Sequence, residues 1–366
     1  MSSLLQLSDN GQRDALAALV KREFGATLES TTPISPGLGN RRFFRLRLAN
    51  STGEAPASVI VRAEAEESTD KRAQGVAPEP ALEPLRTFLD TAGVPVPKVY
   101  AEDSDLCVLL LEDVGDNSLE HAVAGASTDD RIALYQEACA LIPMLQRLEA
   151  PEPVIPAFER FLDRALLQSK AERVIGWALP WWLGRPPNSG EQEVVKAVYD
   201  RIADVCEDAP ARLSHRDLKA ANIHIREGGA VGERLVLIDI QGAFMAPPEY
   251  DLVCLLRDSH VRLPAQEVAL HIASTRVALP DAPKEAEFAE RFALLTLARV
   301  AKDAAHYIHA SIHGEDARYL PFVPTARKVL KEAVARCSDT DPVLQRFADL
   351  IYDFKEPRGL HDSEPQ

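Results

Sequence analysis

The hydropathy pattern changes character at Asp113, and that change limits the folds open to the chain. Upstream, Phe43 to Leu48 and Ser58 to Arg62 alternate or run apolar in β-forming residues, with Asn50-Ser51-Thr52-Gly53 as turn chemistry between them; this predicts an antiparallel hairpin. Ala81, Leu82, Leu85, Phe88 and Leu89 then recur at helical spacing up to Gly93 and the helix-incompatible Pro95-Val96-Pro97. Val99-Tyr100 and Cys107 to Leu111 read as two more strands around a turn at Ala101 to Asp105. Downstream the periodicity is helical, over Ile132 to Leu148, Val194 to Cys206, Ala286 to Ala310 and Val323 to Arg336. One β-rich interruption, Ile223 to Ile225 and Leu235 to Ile238 around Gly228-Gly229 and Gly232, predicts a hairpin that ends in Asp239. Prolines at 151–156 and 180–187 place loops there, and the segment from Glu356 reads as a polar tail.

At 366 residues the chain exceeds the usual size of one hydrophobic core. The expected class is therefore α+β with two lobes: a small β-rich one with one main helix over 1–114, and a larger, mostly helical one over 115–366.

The net charge of −15, with no basic stripe carrying interleaved aromatics, argues against a nucleic-acid partner. Five scattered cysteines, Cys107, Cys139, Cys206, Cys254 and Cys337, lack metal or redox spacing and are expected as reduced core thiols. Met1 to Val20 reads as a polar-interrupted amphipathic helix without export features, and no stretch of about 18 apolar residues offers a membrane span. A cytoplasmic setting is the expectation.

The sharpest local signal is Ser214-His215-Arg216-Asp217-Leu218-Lys219-Ala220-Ala221-Asn222, followed after the hairpin by Asp239. A loop can set the Asp217 carboxylate beside an acceptor hydroxyl, while Asn222, one turn on, offers an amide oxygen to a metal. A strand end then aims Asp239 at the same ion. Mg²⁺ takes hard oxygen ligands and keeps several waters, so one carboxylate and one amide completed by nucleotide phosphates suffice. In the small lobe, Gly37 and Gly39 stand before the first hairpin, where a turn can present backbone N–H groups to phosphates.

His-Arg-Asp, an Asn five residues after the Asp and a later strand-borne Asp resemble the catalytic and metal-binding motifs of the protein-kinase-like superfamily. Asp239-Ile240-Gln241-Gly242 in place of Asp-Phe-Gly, and the lack of a downstream Ala-Pro-Glu, resemble its aminoglycoside-phosphotransferase branch. Within that branch, Leu237 to Ala243, Pro247 to Leu252, Arg41 to Leu46, Leu109 to Asp116 and Tyr319-Leu320-Pro321 are similar to bacterial anomeric kinases of N-acetylmuramate and N-acetylglucosamine.

That resemblance implies ATP and Mg²⁺ as cofactors and a small-molecule sugar acceptor. It implies Asp217 as the catalytic acid–base group and Asn222 and Asp239 as metal ligands. Arg62 stands where the superfamily carries a strand lysine, Glu83 falls at the position of its pairing acid, and Glu112 and Val114 fall in the connection that offers main-chain groups to adenine. Gln241, Glu249, Arg257, His260 and Arg299 are the acceptor candidates, and His306 to His309 lie where resembling kinases close the acceptor cleft. Asp251 reads as a helix-start residue with a structural role. Other readings are a kinase of aminoglycosides, choline-like or other small alcohols, and a silent kinase-like binding protein.

Overall fold

The computed structural model describes residues 10–34, 42–49, 55–63, 81–280, 282–313, 317–337, 341–352 and 354. Gly37, Gly39, the turn Asn50 to Gly53 and the tail from Glu356 lie outside them. The chain forms two compact units, and they do not follow a single cut at 114/115. One unit gathers 1–81, 95–116 and 224–238; the other gathers 82–94, 117–223 and 239–366.

The first unit is a five-stranded antiparallel sheet in the order β1-β2-β3-β5-β4, built from Thr27–Ile34, Arg42–Ala49, Ser58–Ala63, Val99–Asp103 (β4) and Val108–Glu112 (β5). Alternation in β2 and β3 buries Phe44, Leu46, Leu48, Val59 and Val61 on one face. The helix Asn10–Phe24 covers that face with Leu16, Leu19 and Val20. β1 escapes sequence pattern because Thr-Leu-Glu-Ser-Thr-Thr-Pro-Ile is half-buried or exposed along its length, an edge strand with no apolar face to alternate. Register places Arg62 opposite Phe43 on one side and Leu109 on the other.

Two polar knots close this unit. Arg45 of β2 bonds Asp113 at 2.7 Å through Nε and Asp116 at 2.6 Å through Nη1, and Ser58 Oγ donates to the same Asp113 at 2.7 Å. The hairpin β7–β8, Ile223–Ile225 with Leu235–Leu237, is tied on by the Leu237 N–H to the Pro95 carbonyl at 2.8 Å and by Arg226 to Glu112 at 3.0 Å.

The second unit is mostly helical, with a core that includes Tyr135, Trp182, Tyr199, Phe244, Tyr250 and Phe288. Its helices are Leu85–Thr91, Leu119–Val123, Thr128–Gln146, Arg164–Arg173, Ser189–Asp208, Tyr250–Leu256, Ala265–Ala278, Glu285–His313, Val323–Ala335 and Pro342–Tyr352. The helix Leu85–Thr91, expected in the small lobe, belongs here. The loop expected from Pro180 begins only after Leu183. Arg164–Arg173 runs through a π turn at Val174–Ala178 into Leu179–Leu183, where Pro180 follows the π turn and Gly184 in the left-handed region is the stop. Among the described residues no helix is long and apolar enough to cross a membrane.

Candidate active site

A two-stranded ribbon in the second unit, β6 (Arg212–Ser214) paired antiparallel with β9 (Phe244–Ala246), delivers the chain into the His215-Arg216-Asp217 loop. Arg216 takes a φ of 78°, a left-handed conformation uncommon for a side chain this large, so the surroundings must hold it. Asp251 does so. Its carboxylate, 1% exposed, accepts the His215 N–H at 2.7 Å and the Arg216 N–H at 3.1 Å. Burial pushes the Asp251 carboxyl up to about 6, against the pull of His215 and the two N–H donors. The structural role expected for Asp251 thus falls on the His215-Arg216-Asp217 loop, while its own helix has no side-chain cap. Arg216 then lays its guanidinium over the Phe244 ring, 5.8 Å from its centre.

Asp217 is half-buried and surrounded by donors. Arg299 Nη2 donates to Oδ1; Lys219 Nζ stands 3.8 Å from Oδ2 and Asn222 Nδ2 3.5 Å from it. Burial raises this carboxyl, and the charges of Arg299, Lys219 and Lys302 more than reverse that, holding it well below the usual carboxylate range. Asn222 Nδ2 also donates to the Asp217 carbonyl at 2.9 Å, which fixes the amide and leaves its oxygen as the end for a cation. Asp239 follows β8 with a φ of 61°, and Gln241 Nε2 donates to its Oδ1 at 2.6 Å. Among the described residues no group of three or more His, Cys, Asp or Glu forms a metal cluster. One carboxylate and one amide fit a Mg²⁺ whose other ligands are phosphates and water.

Arg299 is the hub. Besides Asp217 it bonds the Arg216 carbonyl at 3.3 Å through Nη1 and Asp303 at 2.9 Å through Nε, and Lys302 reaches the same Asp303 at 2.7 Å. Sequence reasoning named Arg299 but missed Asp303; the available signal was its i,i+4 spacing from Arg299. One helical turn on, His306 Nδ1 meets the Lys302 carbonyl at 2.7 Å and the His306 ring meets Trp177 edge-on at 5.5 Å. A cavity of about 270 Å³ opens there, with Trp177, Trp181 and His309 in its wall.

The remaining acceptor candidates have partners of their own. Glu249 is 0% exposed and pairs with Arg291 at 2.8 Å, an internal ion pair with no surface to offer a ligand. Arg257 points toward Glu332 at 3.8 Å and stacks over Phe292. His260 lies flat on Phe322 at 4.0 Å and faces Glu120 at 3.5 Å, while its N–H bonds Asp258.

Of the nucleotide candidates, Arg62 is 3% exposed within β3. Glu83 caps the start of the helix Leu85–Thr91, accepting from Arg86 Nε and, at 2.9 Å, from the Thr87 N–H. The Glu112 N–H donates to the Lys98 carbonyl at 2.8 Å, so that main-chain donor is engaged within the sheet unit; Val114 follows two residues later.

A five-stranded antiparallel sheet unit and a helical unit carrying a His-Arg-Asp loop, an Asn and a strand-end Asp define a kinase-like phosphotransferase. A model of the phosphotransferase enzyme family APH matches residues 30–274, more than half of the chain, and the chain belongs to that family. Its relatives include the N-acetylmuramate/N-acetylglucosamine kinase of Pseudomonas aeruginosa, 25% identical over 328 residues that cover 84% of this chain and 91% of that enzyme. The kinase of the same description from Pseudomonas putida is 28% identical over 240 residues, covering 60% of this chain and 65% of that enzyme. In fold the chain is similar to the choline kinase LicA of Streptococcus pneumoniae, with a TM-score of 0.57 at 15% identity over 88% of this chain and 100% of that one. It is similar also to the ADP-bound aminoglycoside phosphotransferase APH(2'')-Ib, with a TM-score of 0.53 at 15% identity over 88% of this chain and 97% of that one.

Proposed function

We propose that this chain transfers the γ-phosphate of ATP to the anomeric hydroxyl of an N-acetylated amino sugar, giving the sugar 1-phosphate. The observation that carries the chemistry is the setting of Asp217: Arg299 donates to one carboxylate oxygen and Asn222 flanks the other, and the surrounding cations favour the ionised form. A strong base is not needed for a loose phosphoryl transition state; an oriented acceptor is. Asp217 accepts the hydroxyl hydrogen bond, aims the oxygen, and takes the proton as the new P–O bond forms. Asn222 and Asp239 would hold Mg²⁺, which supplies charge neutralisation for the phosphates. Arg62, Gly37, Gly39 and the main chain at Glu112 and Val114 are the proposed nucleotide contacts. Support for the sugar comes from the two Pseudomonas kinases, which resemble this chain over most of its length in one case.

The test is a panel of N-acetylglucosamine, N-acetylmuramate, glucose, choline and an aminoglycoside, assayed for Mg²⁺-dependent ADP release with the product examined by phosphorus NMR. An anomeric phosphate on an N-acetylated sugar is expected. Turnover confined to choline or the aminoglycoside, or a phosphate on another hydroxyl, overturns the reading.

A further inference from the structure

The helix Tyr250–Leu256 is seven residues long and buried throughout, and it carries a carboxylate near each end. Asp251, at the start, takes the His215 and Arg216 N–H groups. Asp258, two residues past the end, takes the far side of the same loop. Its Oδ2 accepts the Ala220 N–H at 3.2 Å, and its Oδ1 accepts the His260 N–H at 2.9 Å. Asp258 is 9% exposed and Ala220 is buried, so removing the carboxylate would leave an N–H inside the protein without its acceptor. One short, rigid helix thus clamps the loop at two points, before Asp217 and after it.

The second clamp acts on the turn that presents Asn222. Ala220–Asn222 is a single 3-10 turn, and Lys219 before it supplies no side-chain cap, so the first N–H of the turn is left to Asp258. The turn closes with the Asn222 N–H on the Lys219 carbonyl at 2.9 Å, while the Asn222 side chain reaches back to the Asp217 carbonyl at the same distance. A shift at Ala220 therefore moves the Asn222 amide oxygen relative to Asp217. Accepting Asn222 as a ligand of Mg²⁺, as in the function proposed above, we infer that Asp258 is a positioning residue for the ion: it sets the place of Asn222 and thereby the affinity for the magnesium that accompanies ATP. Each oxygen of Asp258 already accepts a backbone N–H, the arrangement of a brace rather than of an ion ligand. Asp251 serves the acid–base side of the loop, and Asp258 serves its metal side.

The experiment titrates Mg²⁺ into the full-length chain with ATP and follows nucleotide binding by calorimetry, with no acceptor present. Wild type is compared with Asp258→Asn, which keeps the shape, and with Asp258→Glu, which keeps the charge and covers a folding failure in the first. The Mg²⁺ midpoint for ATP binding is expected to rise about tenfold in Asp258→Asn and by less in Asp258→Glu, with adenosine binding unchanged in both. A merely structural role would lower the binding-competent fraction equally at every Mg²⁺ concentration and leave the midpoint in place. Combining Asp258→Asn with Asn222→Ala should leave the midpoint where Asn222→Ala alone puts it, because the brace then has no ligand to place. An unmoved midpoint in the folded variants, equal losses for adenosine and ATP, or additive effects of the two substitutions overturns the inference and leaves the proposed reaction standing. ATP binding by the wild type that ignores Mg²⁺ instead overturns the metal reading itself, and the inference with it.

Discussion

Arg299 grips Asp217 twice over: Nη2 donates to its carboxylate while Nη1 holds the carbonyl of Arg216, the residue just before it. One guanidinium thus fixes both the charge and the backbone of the proposed catalytic loop, and Asp303 in turn fixes the guanidinium. Arg299 is a positioning residue in this scheme.

Its replacement should appear in a pH profile. With Arg299→Gln, burial of Asp217 loses its largest opposing charge, so its carboxyl climbs. Activity requires the ionised form and is lost as pH falls through that value. The acid limb of kcat/KM, below the ordinary carboxylate range in the wild type, is expected to move to higher pH in the variant. An acid limb that stays put while kcat drops evenly at every pH would reduce Arg299 to a packing role.

Asp217→Asn keeps the shape and removes the charge. Turnover is expected to fall by at least about 10²-fold with ATP binding retained. Calorimetry beside steady-state rates checks this, and near-wild-type turnover would move the catalytic assignment elsewhere.

Asp251→Ala strands two backbone N–H groups at the entrance of the catalytic loop. Each buried donor left unsatisfied costs about 1–3 kcal/mol. Chemical denaturation should show a loss of about 2–6 kcal/mol for the two donors together, and because the strained Arg216 conformation is released, kcat should fall more than KM for ATP rises. A stable variant with normal kcat would show that the loop is held by other means.

Lys170→Met should make the protein more stable. The folded-state ammonium titrates at about 7 against 10.5 for a free lysine, so the wild type loses stability as pH falls from about 10.5 to about 7. Methionine fills a similar volume without that penalty, and a gain of about 1–3 kcal/mol at neutral pH is expected, as for buried charges replaced by apolar groups. Thermal unfolding at two pH values tests the sign: the variant's advantage is greatest near pH 7 and shrinks toward pH 10. An advantage that grows with pH contradicts the titration argument.

Asp239→Asn should weaken Mg²⁺-dependent nucleotide binding, since it removes a full negative charge from the proposed ion site. An unchanged magnesium dependence of ATP binding would exclude Asp239 as a ligand.

Much of this arrangement was legible beforehand. Strands β2, β3 and β5 alternate or run apolar because one face or both are covered, and the His-Arg-Asp loop with Asn222 and Asp239, the proposed site, stands out by its short-range spacing. The polar edge strand β1 left no such trace. Helix Arg164–Arg173 was hidden by its weak apolar periodicity, and its continuation past the π turn at Val174–Ala178 by Pro180. Acceptor candidates chosen for proximity in sequence to Asp239 fared unevenly. Gln241 does bond Asp239, but Glu249 turns inward to Arg291, a partner 42 positions away that no local pattern reveals. Asp303 was missed for the opposite reason: its significance depends on Asp217, more than eighty residues upstream.

The chain passes from one compact unit to the other at 81/82, 94/95, 116/117, 223/224 and 238/239. No single cut of the gene therefore yields either unit whole. A fragment ending at residue 116 would lack Arg226, the ion-pair partner of Glu112, and the Leu237 N–H that caps Pro95. The last two crossings fall just after Asn222 and just before Asp239, so both proposed metal ligands stand at the seams where the polypeptide leaves the helical unit and returns. Swapping the small unit between relatives by gene fusion would demand three grafted segments, with two of the joints beside the reaction centre. The two units of this chain are covalently interwoven, and recombination cannot readily shuffle them as separate modules.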